Sequence, residues 1–173
     1  MTATMATDAV RCAMYYPWVK DEDDGEIISP EGAILGVYAK FANDLTKGVW
    51  YSPSGIEAKL LGFTGLETIP GSVGAGKLNE KNVNCLKVIP DLGLVIWGSR
   101  TMAIAKQRDF KYIGARLNTS DLEAQILKNT LWAVQMPNDA NLWRAISGTV
   151  ASILNKRYAS GGLEGETRDK AYI

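Results

Sequence analysis

The sequence contains no histidine. That removes the side chain most often used as a general base near neutral pH, the usual partner of a serine or cysteine nucleophile, and the commonest metal ligand. Carboxylate or lysine chemistry stays open, but the expectation is a protein that is not an enzyme and carries no cofactor or metal. Cysteine is scarce too. Cys12 and Cys85 stand far apart and outside any metal spacing, so they read as two buried thiols in a reducing compartment, by default the cytoplasm. Net charge is absent: 19 basic side chains balance 19 acidic ones, which leaves no electrostatic footprint for gripping nucleic acid or an anionic membrane. Long hydrophobic runs are missing, since no stretch approaches the ~18 apolar residues of a membrane span. The first residues show no basic segment followed by an apolar run, so no targeting segment is expected. Internal repeats, low-complexity tracts and linkers are lacking as well.

What is present suits one folded domain. Hydrophobic residues make up 46% and charged ones 22%, ordinary globular values for a chain of 173 residues. Val10 to Val19 is rich in β-branched and aromatic residues and reads as a peripheral strand, or one that stops at Pro17. Ser29-Pro30-Glu31 is a helix-start signal, with Ser at N-cap and Pro at N1. Ile34, Val37, Tyr38, Phe41 and Leu45 then recur at helical spacing, predicting a helix over 30–45. Segment 47–76 is broken by Gly and Pro, with a short strand near 60–63. Cys85 to Ile89 and Gly93 to Trp97 read as strands around a Pro90-Asp91 turn, and Lys111 to Arg116 as a third strand. Ser120-Asp121-Leu122-Glu123 forms a capping box that predicts a helix over 120–134. A further helix over 139–158 ends at Gly161-Gly162, with Lys156 and Arg157 in its last turn. The fold class expected is α/β: a single domain with a mixed β-sheet covered by about three helices.

Gly71-x-x-x-x-Gly76-Lys77 matches most of a phosphate-cradling P-loop. A working P-loop needs a buried strand before it, a Ser or Thr after the Lys to hold Mg²⁺, and a helix pointing its N-terminus at the phosphates. Here Leu78 follows the Lys and Pro70 precedes the glycines. The reading is a surface loop, with nucleotide binding through Gly71 to Lys77 kept as the alternative function. Asp21, Glu22, Asp23 and Asp24 lack the alternating ligands of a calcium loop and read as a solvated run or an acidic contact surface. Lys106, Arg108 and Lys111, with Phe110 and Tyr112, form either a basic and aromatic patch or a solvated strand edge. Trp97, Trp132 and Trp143 lie in apolar patterns and are expected in the core. Arg100 follows a strand expected to be buried, so it should need a carboxylate or carbonyl partner.

A series of short pieces carries a resemblance. In order they are Tyr16-Pro17-Trp18, Pro30-x-Gly32, Gly36-Val37-Tyr38-Ala39, Gly48-Val49-Trp50-x-x-Pro53, Leu78-Asn79 and Val83-Asn84. Gly93-x-Val95-Ile96-Trp97-Gly98-Ser99-Arg100-Thr101, Phe110-x-Tyr112-x-x-x-Arg116, Pro137-Asn138-x-x-x-x-Trp143 and Gly161-Gly162-Leu163-x-Gly165 come after them. From about residue 12 to 173 the sequence resembles the conserved C-terminal half of contractile tail sheath proteins of bacteriophages and related injection devices.

The resemblance implies a structural subunit, located in the tail of a virion and assembled in the bacterial host cytoplasm. It implies identical subunits stacked as helical rings around a rigid tube, stored in an extended metastable state that rearranges to a shorter one without consuming nucleotide. Partners implied are copies of itself, the tail tube protein, and baseplate and tail terminator proteins, with no nucleic acid and no direct membrane contact. Terminal extensions are expected to add strands to a neighbour's sheet. The whole chain, 1–173, would be one tail-sheath-like domain, a fragment or reduced form lacking the family's usual N-terminal region and tail. The paired Arg often found where Ala115-Arg116 stands is single here. Interface candidates under this resemblance are Arg144, Lys156 and Arg157 toward an acidic tube, and Asp21, Glu22, Asp23 and Asp24 toward a basic neighbour. Structural positions are Pro17, Trp18, Trp50, Trp97, Arg100 and Trp143. A binding module with the same α/β core is the third reading.

Overall fold

The computed structural model of the chain describes residues 9–44, 46–104 and 107–172. Tertiary contacts divide the chain into two compact units, residues 1–116 and 117–173. The mixed α/β class holds, with the strands of the first unit arranged as two three-stranded sheets.

The first unit runs β1 (Met14–Tyr16), β2 (Val19–Asp21), β3 (Ile27–Ile28), α1 (Glu31–Asn43), β4 (Phe63–Leu66), α2 (Ser72–Glu80), β5 (Val83–Ile89) and β6 (Gly93–Ile96). One sheet has the order β1-β5-β6, with β1 parallel to β5 and β5 antiparallel to β6; the other is the antiparallel β3-β2-β4. Pro17, buried and without an N–H for a ladder, lies where the chain leaves the first sheet and enters the second. The expected strand does stop there, then resumes two residues later with new partners. Between β5 and β6, Asp91 and Gly93 take positive φ of 64° and 86°, as the Pro90-Asp91 turn requires. The strand expected at 60–63 lies at Phe63–Leu66 instead, while Ala58 and Leu60 hydrogen-bond β6 at Ile96 and Leu94.

Ile34, Val37 and Phe41 form the buried stripe of α1, as their spacing predicts. They meet Val19 and Leu66 of one sheet and Leu86, Leu94 and Ile96 of the other, so a single apolar cluster ties both sheets to the helix. Pro30, not Ser29, holds the N-cap position, and the Ser29 hydroxyl bonds the Glu31 carboxylate. Leu45 falls outside the described residues.

Tyr15 of β1 and Tyr38 of α1 hydrogen-bond through their hydroxyls beside this cluster. Burial, and secondarily the proximity of Tyr38, pushes the Tyr15 phenol far above its ordinary value; burial also raises Tyr38. The unfolded chain ionises these phenols near pH 10 while the folded chain resists, so their stabilisation is complete below pH 10 and lost above it. Unfolding free energy should therefore fall between about pH 10 and 12, by at most ~1.4 kcal/mol per pH unit per tyrosine. Denaturant titrations of wild type against the Tyr15→Phe, Tyr38→Phe double variant check this, the variant giving the flatter profile.

Three expectations need correction. Residues 71–80 are not a loop: Gly71 is the N-cap of α2, which has no apolar stripe because it buries none of its residues. Residues 111–116 are not a strand; a 3-10 turn (Arg108–Phe110) leads directly into α3 (Ile113–Thr130). The helix starts this early through a tertiary contact, for a Cβ at Gly114 would lie 2.6 Å from the carbonyl oxygen of Trp50. Ser120 and Glu123 are therefore inside the helix rather than at its cap, and its last turn passes into a 3-10 turn at Leu131–Ala133.

The second unit contains the remainder of α3, α4 (Ala140–Ala159) and α5 (Arg168–Ala171). The Asp139 carboxylate caps α4, accepting from the backbone N–H of Asn141 at 2.9 Å and Leu142 at 2.8 Å. Gly161 closes it at φ 80°, with the Gly162 N–H donating to the Arg157 carbonyl. Polar contacts tie α3 to α4 and to the glycine turn that ends it: Arg157 pairs with Asp121, and the Asn118 amide donates to the Gly162 carbonyl at 2.6 Å.

Candidate assembly surface

Large apolar side chains clustered on a surface are candidates for contact, because burying them against a partner removes apolar area from water. In the second unit Leu127, Leu131, Trp132, Val134, Met136 and Trp143 are all about half exposed or more. They succeed one another along the end of α3, the turn after it and the first turn of α4. Sequence periodicity places Trp132 and Trp143 in the core, and the structure corrects this: they are 46% and 60% exposed. The Trp143 indole N–H donates to the Asn138 side chain at 2.6 Å, which fixes the ring at the start of α4. Trp97 is corrected likewise, 47% exposed after β6 with the Lys87 ammonium 4.8 Å from its ring centre. Trp18 is also exposed, whereas Trp50 is half-buried.

A second contact feature is main-chain. Among the described residues β1 has β5 on one side and no strand on the other, and Met14 and Tyr16 are exposed along it. An unpaired strand edge is a template for another chain.

The charged candidates separate. Asp21, Glu22, Asp23 and Asp24 sit on the β2–β3 hairpin, where the Asp21 carboxylate accepts from the Asp23 N–H at 2.8 Å and Asp24 from the Glu26 N–H at 2.9 Å. These turns fix the backbone and leave the carboxylates of Glu22, Asp23 and Asp24 in solvent. Arg144 and Lys156 are exposed on α4. Arg157 is turned inward, 7% exposed and paired with Asp121, because a guanidinium out of water needs a carboxylate. Its guanidinium is engaged within the unit. Cys12, expected buried, is exposed; Cys85 is buried, and burial raises its thiol pKa.

Arg100 finds the carbonyl partner its position demands: its Nη1 donates to the Asn79 carbonyl at 2.6 Å. The residue that holds its backbone, Asn84, stands out in the sequence only through its place in the Val83-Asn84 piece. Asn84, with no exposed surface, accepts from the Arg100 N–H and donates to the Arg100 carbonyl, each at 2.7 Å. It thereby acts as a strand partner for the segment leaving β6. Gly98 is required beside it, since a Cβ there would come within 2.8 Å of the Asn84 side-chain oxygen and 3.0 Å of its Cα.

The Gly71 to Lys77 match has the wrong geometry for a phosphate cradle. Gly76 and Lys77 lie inside α2, and the Ala75 N–H donates to the Gly71 carbonyl, so these amides are consumed by the helix. Among the described residues no group of three or more His, Cys, Asp or Glu is placed to hold a metal ion, and no helix is long and apolar enough to cross a membrane.

Comparison with solved structures finds chains of contractile injection particles. A chain of the anti-feeding prophage (AFP) baseplate matches with a TM-score of 0.87 at 29% identity, over 95% of this chain and 44% of that one. The PVC sheath complex of an extracellular contractile injection system, in its contracted state, contains a chain that matches at TM-score 0.84 and 25% identity, over 100% and 49%. For a chain of the contracted AFP helical sheath the values are 0.81 and 29%, over 90% and 42%. No family model and no curated protein matches the sequence. The chain spans less than half the length of each solved chain named here. Over nearly its whole length it is similar to a little under half of a sheath or baseplate chain of a contractile injection system.

Proposed function

We propose that the chain is a structural subunit of a contractile sheath, polymerising helically around a rigid tube and driving the tube forward as the sheath shortens from a metastable extended state. The likeness to sheath chains along nearly the whole sequence carries this reading. The molecule's own surface supports it: a row of exposed apolar side chains from Leu127 to Trp143 and an open edge on β1 suit packing against copies and a tube. Work of this kind comes from repacking interfaces between two stable arrangements, without substrate turnover. Baseplate and terminator proteins would meet the two ends of such a polymer. Arg144 and Lys156 remain the charges on α4 offered to an acidic tube, and the particle would be a phage tail or an injection device of the same class.

Sedimentation velocity combined with acrylamide quenching tests the reading. Trp97, Trp132 and Trp143 should be quenched freely in dilute solution and protected, with blue-shifted emission, as the chain associates. A chain that stays monomeric and equally quenched at every concentration contradicts the proposal. Thermal stabilisation by ATP without association would favour the nucleotide alternative.

A further inference from the structure

The first unit contains a second, smaller feature that the apolar surface does not use. A cavity of about 300 Å³ is walled by Arg100, Arg108 and Lys111 together with Glu80, Asn82 and Ala103. Three cations face one carboxylate, so the cavity carries excess positive charge. Arg108 is exposed, and among the described residues neither Arg108 nor Lys111 pairs with a carboxylate; Lys111 lies only near the Tyr112 ring. Arg100 gives one N–H to Asn79 and keeps the rest of its donors. Asn84 fixes the backbone of Arg100 from both sides, so this wall of the cavity is built in advance.

The same unit carries the matching opposite charge elsewhere. Asp21, Glu22, Asp23, Asp24 and Glu26 place five carboxylates in six residues on the β2–β3 hairpin, and no Lys or Arg among the described residues pairs with them. The hairpin is closed by the Asp21 N–H bonding the Glu26 carbonyl at 2.9 Å, which makes the tip a narrow, preformed projection. We propose that the cavity walled by Arg100, Arg108 and Lys111 receives the acidic β2–β3 tip of a second copy of this chain. The proposal rests on the reading that copies pack against one another, and it names a contact by which they do so.

A tip on one copy and a cavity on the next form a head-to-tail contact. Made once between each pair of copies, such a contact propagates as rings or helices; made reciprocally, it closes a two-fold dimer. Complementary charge sets register and rejects wrong docking, and salt weakens it.

The test is a charge exchange read by sedimentation velocity at low salt and by electron microscopy. Glu22→Lys with Asp23→Lys leaves both Asp-based turns in place, and Arg108→Glu with Lys111→Glu reverses the cavity. Each pair should weaken association by about tenfold or more, the four changes together should restore it to within about threefold of wild type, and 1 M salt should abolish the difference. Should the cavity variant melt early, Arg108→Gln with Lys111→Gln removes the charges without reversing them and should still weaken association. Rings or tubules that form equally well with either reversed pair overturn this contact and leave the sheath reading standing. Salt-sensitive association that the exchange disrupts and rescues, without regular polymers, supports the contact and counts against the sheath reading. A wild-type chain that is monomeric at low salt overturns both.

Discussion

Phe41→Ala is expected to lower the unfolding free energy by about 4 kcal/mol, the middle of the range for one buried aromatic. Phe41 is 3% exposed at the C-terminal end of the α1 stripe, inside the cluster that contains Val19 and Leu66 from one sheet and Leu86, Leu94 and Ile96 from the other. Its ring also stacks on Tyr51 at 5.7 Å between centres, and the Lys47 ammonium lies 4.9 Å above it. Lys47 in turn bonds the Glu57 carboxylate at 2.5 Å, which holds the ammonium above its usual pKa range. Truncation therefore removes transfer energy, leaves a cavity and loosens the segment that returns from α1. Phe41→Leu, which keeps most of the volume, should cost about 1.5 kcal/mol. Urea titrations of the three proteins measure this, and an alanine variant within about 1 kcal/mol of wild type contradicts the assignment of α1 as the tie between the sheets.

Asn84→Leu is expected to cost about 3 kcal/mol, from a different cause. Leucine has the same branching but is bulkier and cannot bond the Arg100 N–H and carbonyl, and leaving buried or half-buried backbone groups unpaired costs ~1–3 kcal/mol each. The substitution also frees the segment holding Arg100, so it should weaken low-salt association beyond what lost folding explains. Asn84→Asp keeps the acceptor for the Arg100 N–H but sets a buried carboxylate oxygen against the Arg100 carbonyl, so it should also lower the melting temperature. For a chain of this length each kcal/mol shifts the melting temperature by ~2–4 °C, which puts the leucine variant roughly 10 °C below wild type. A melting temperature unchanged by leucine would mean the bracket around Arg100 contributes nothing.

The legible parts of the fold are those where local sequence and tertiary packing agree. Ile34, Val37 and Phe41 announce α1 because the face they define is the face that is buried. Gly161 ends α4, as Gly161-Gly162 predicts, because capping is decided within a few residues. The β5–β6 hairpin is readable from its apolar runs and the Pro90-Asp91 turn. Where packing decides against local signals, sequence misleads. The Ser120 to Glu123 box is a sound cap motif, yet α3 begins seven residues earlier because Gly114 fits against Trp50. Glycine-rich α2 has no stripe to read.

The exposed apolar surface is hidden for a related reason. Apolar patterning at Trp97, Trp132 and Trp143 tells that these rings belong against something, without telling whether the cover is this chain or another. Arg157 and Lys156 are adjacent in one helix turn and look equivalent in sequence, yet one is buried against Asp121 and the other is exposed. Only the path of α3 separates them. Asn84, the buried polar residue with the clearest structural task, has no composition signal at all. Its spacing from Gly98 and Arg100 within the resembling pieces is the available clue.

Electron microscopy of the purified chain across a concentration series tests the central claim most directly, because every later step of the proposed function depends on assembly with copies of itself. Rings or tubules of constant diameter, formed without nucleotide, are the predicted result. Isolated particles of monomer size at every concentration, or amorphous clumps with no repeat, contradict it.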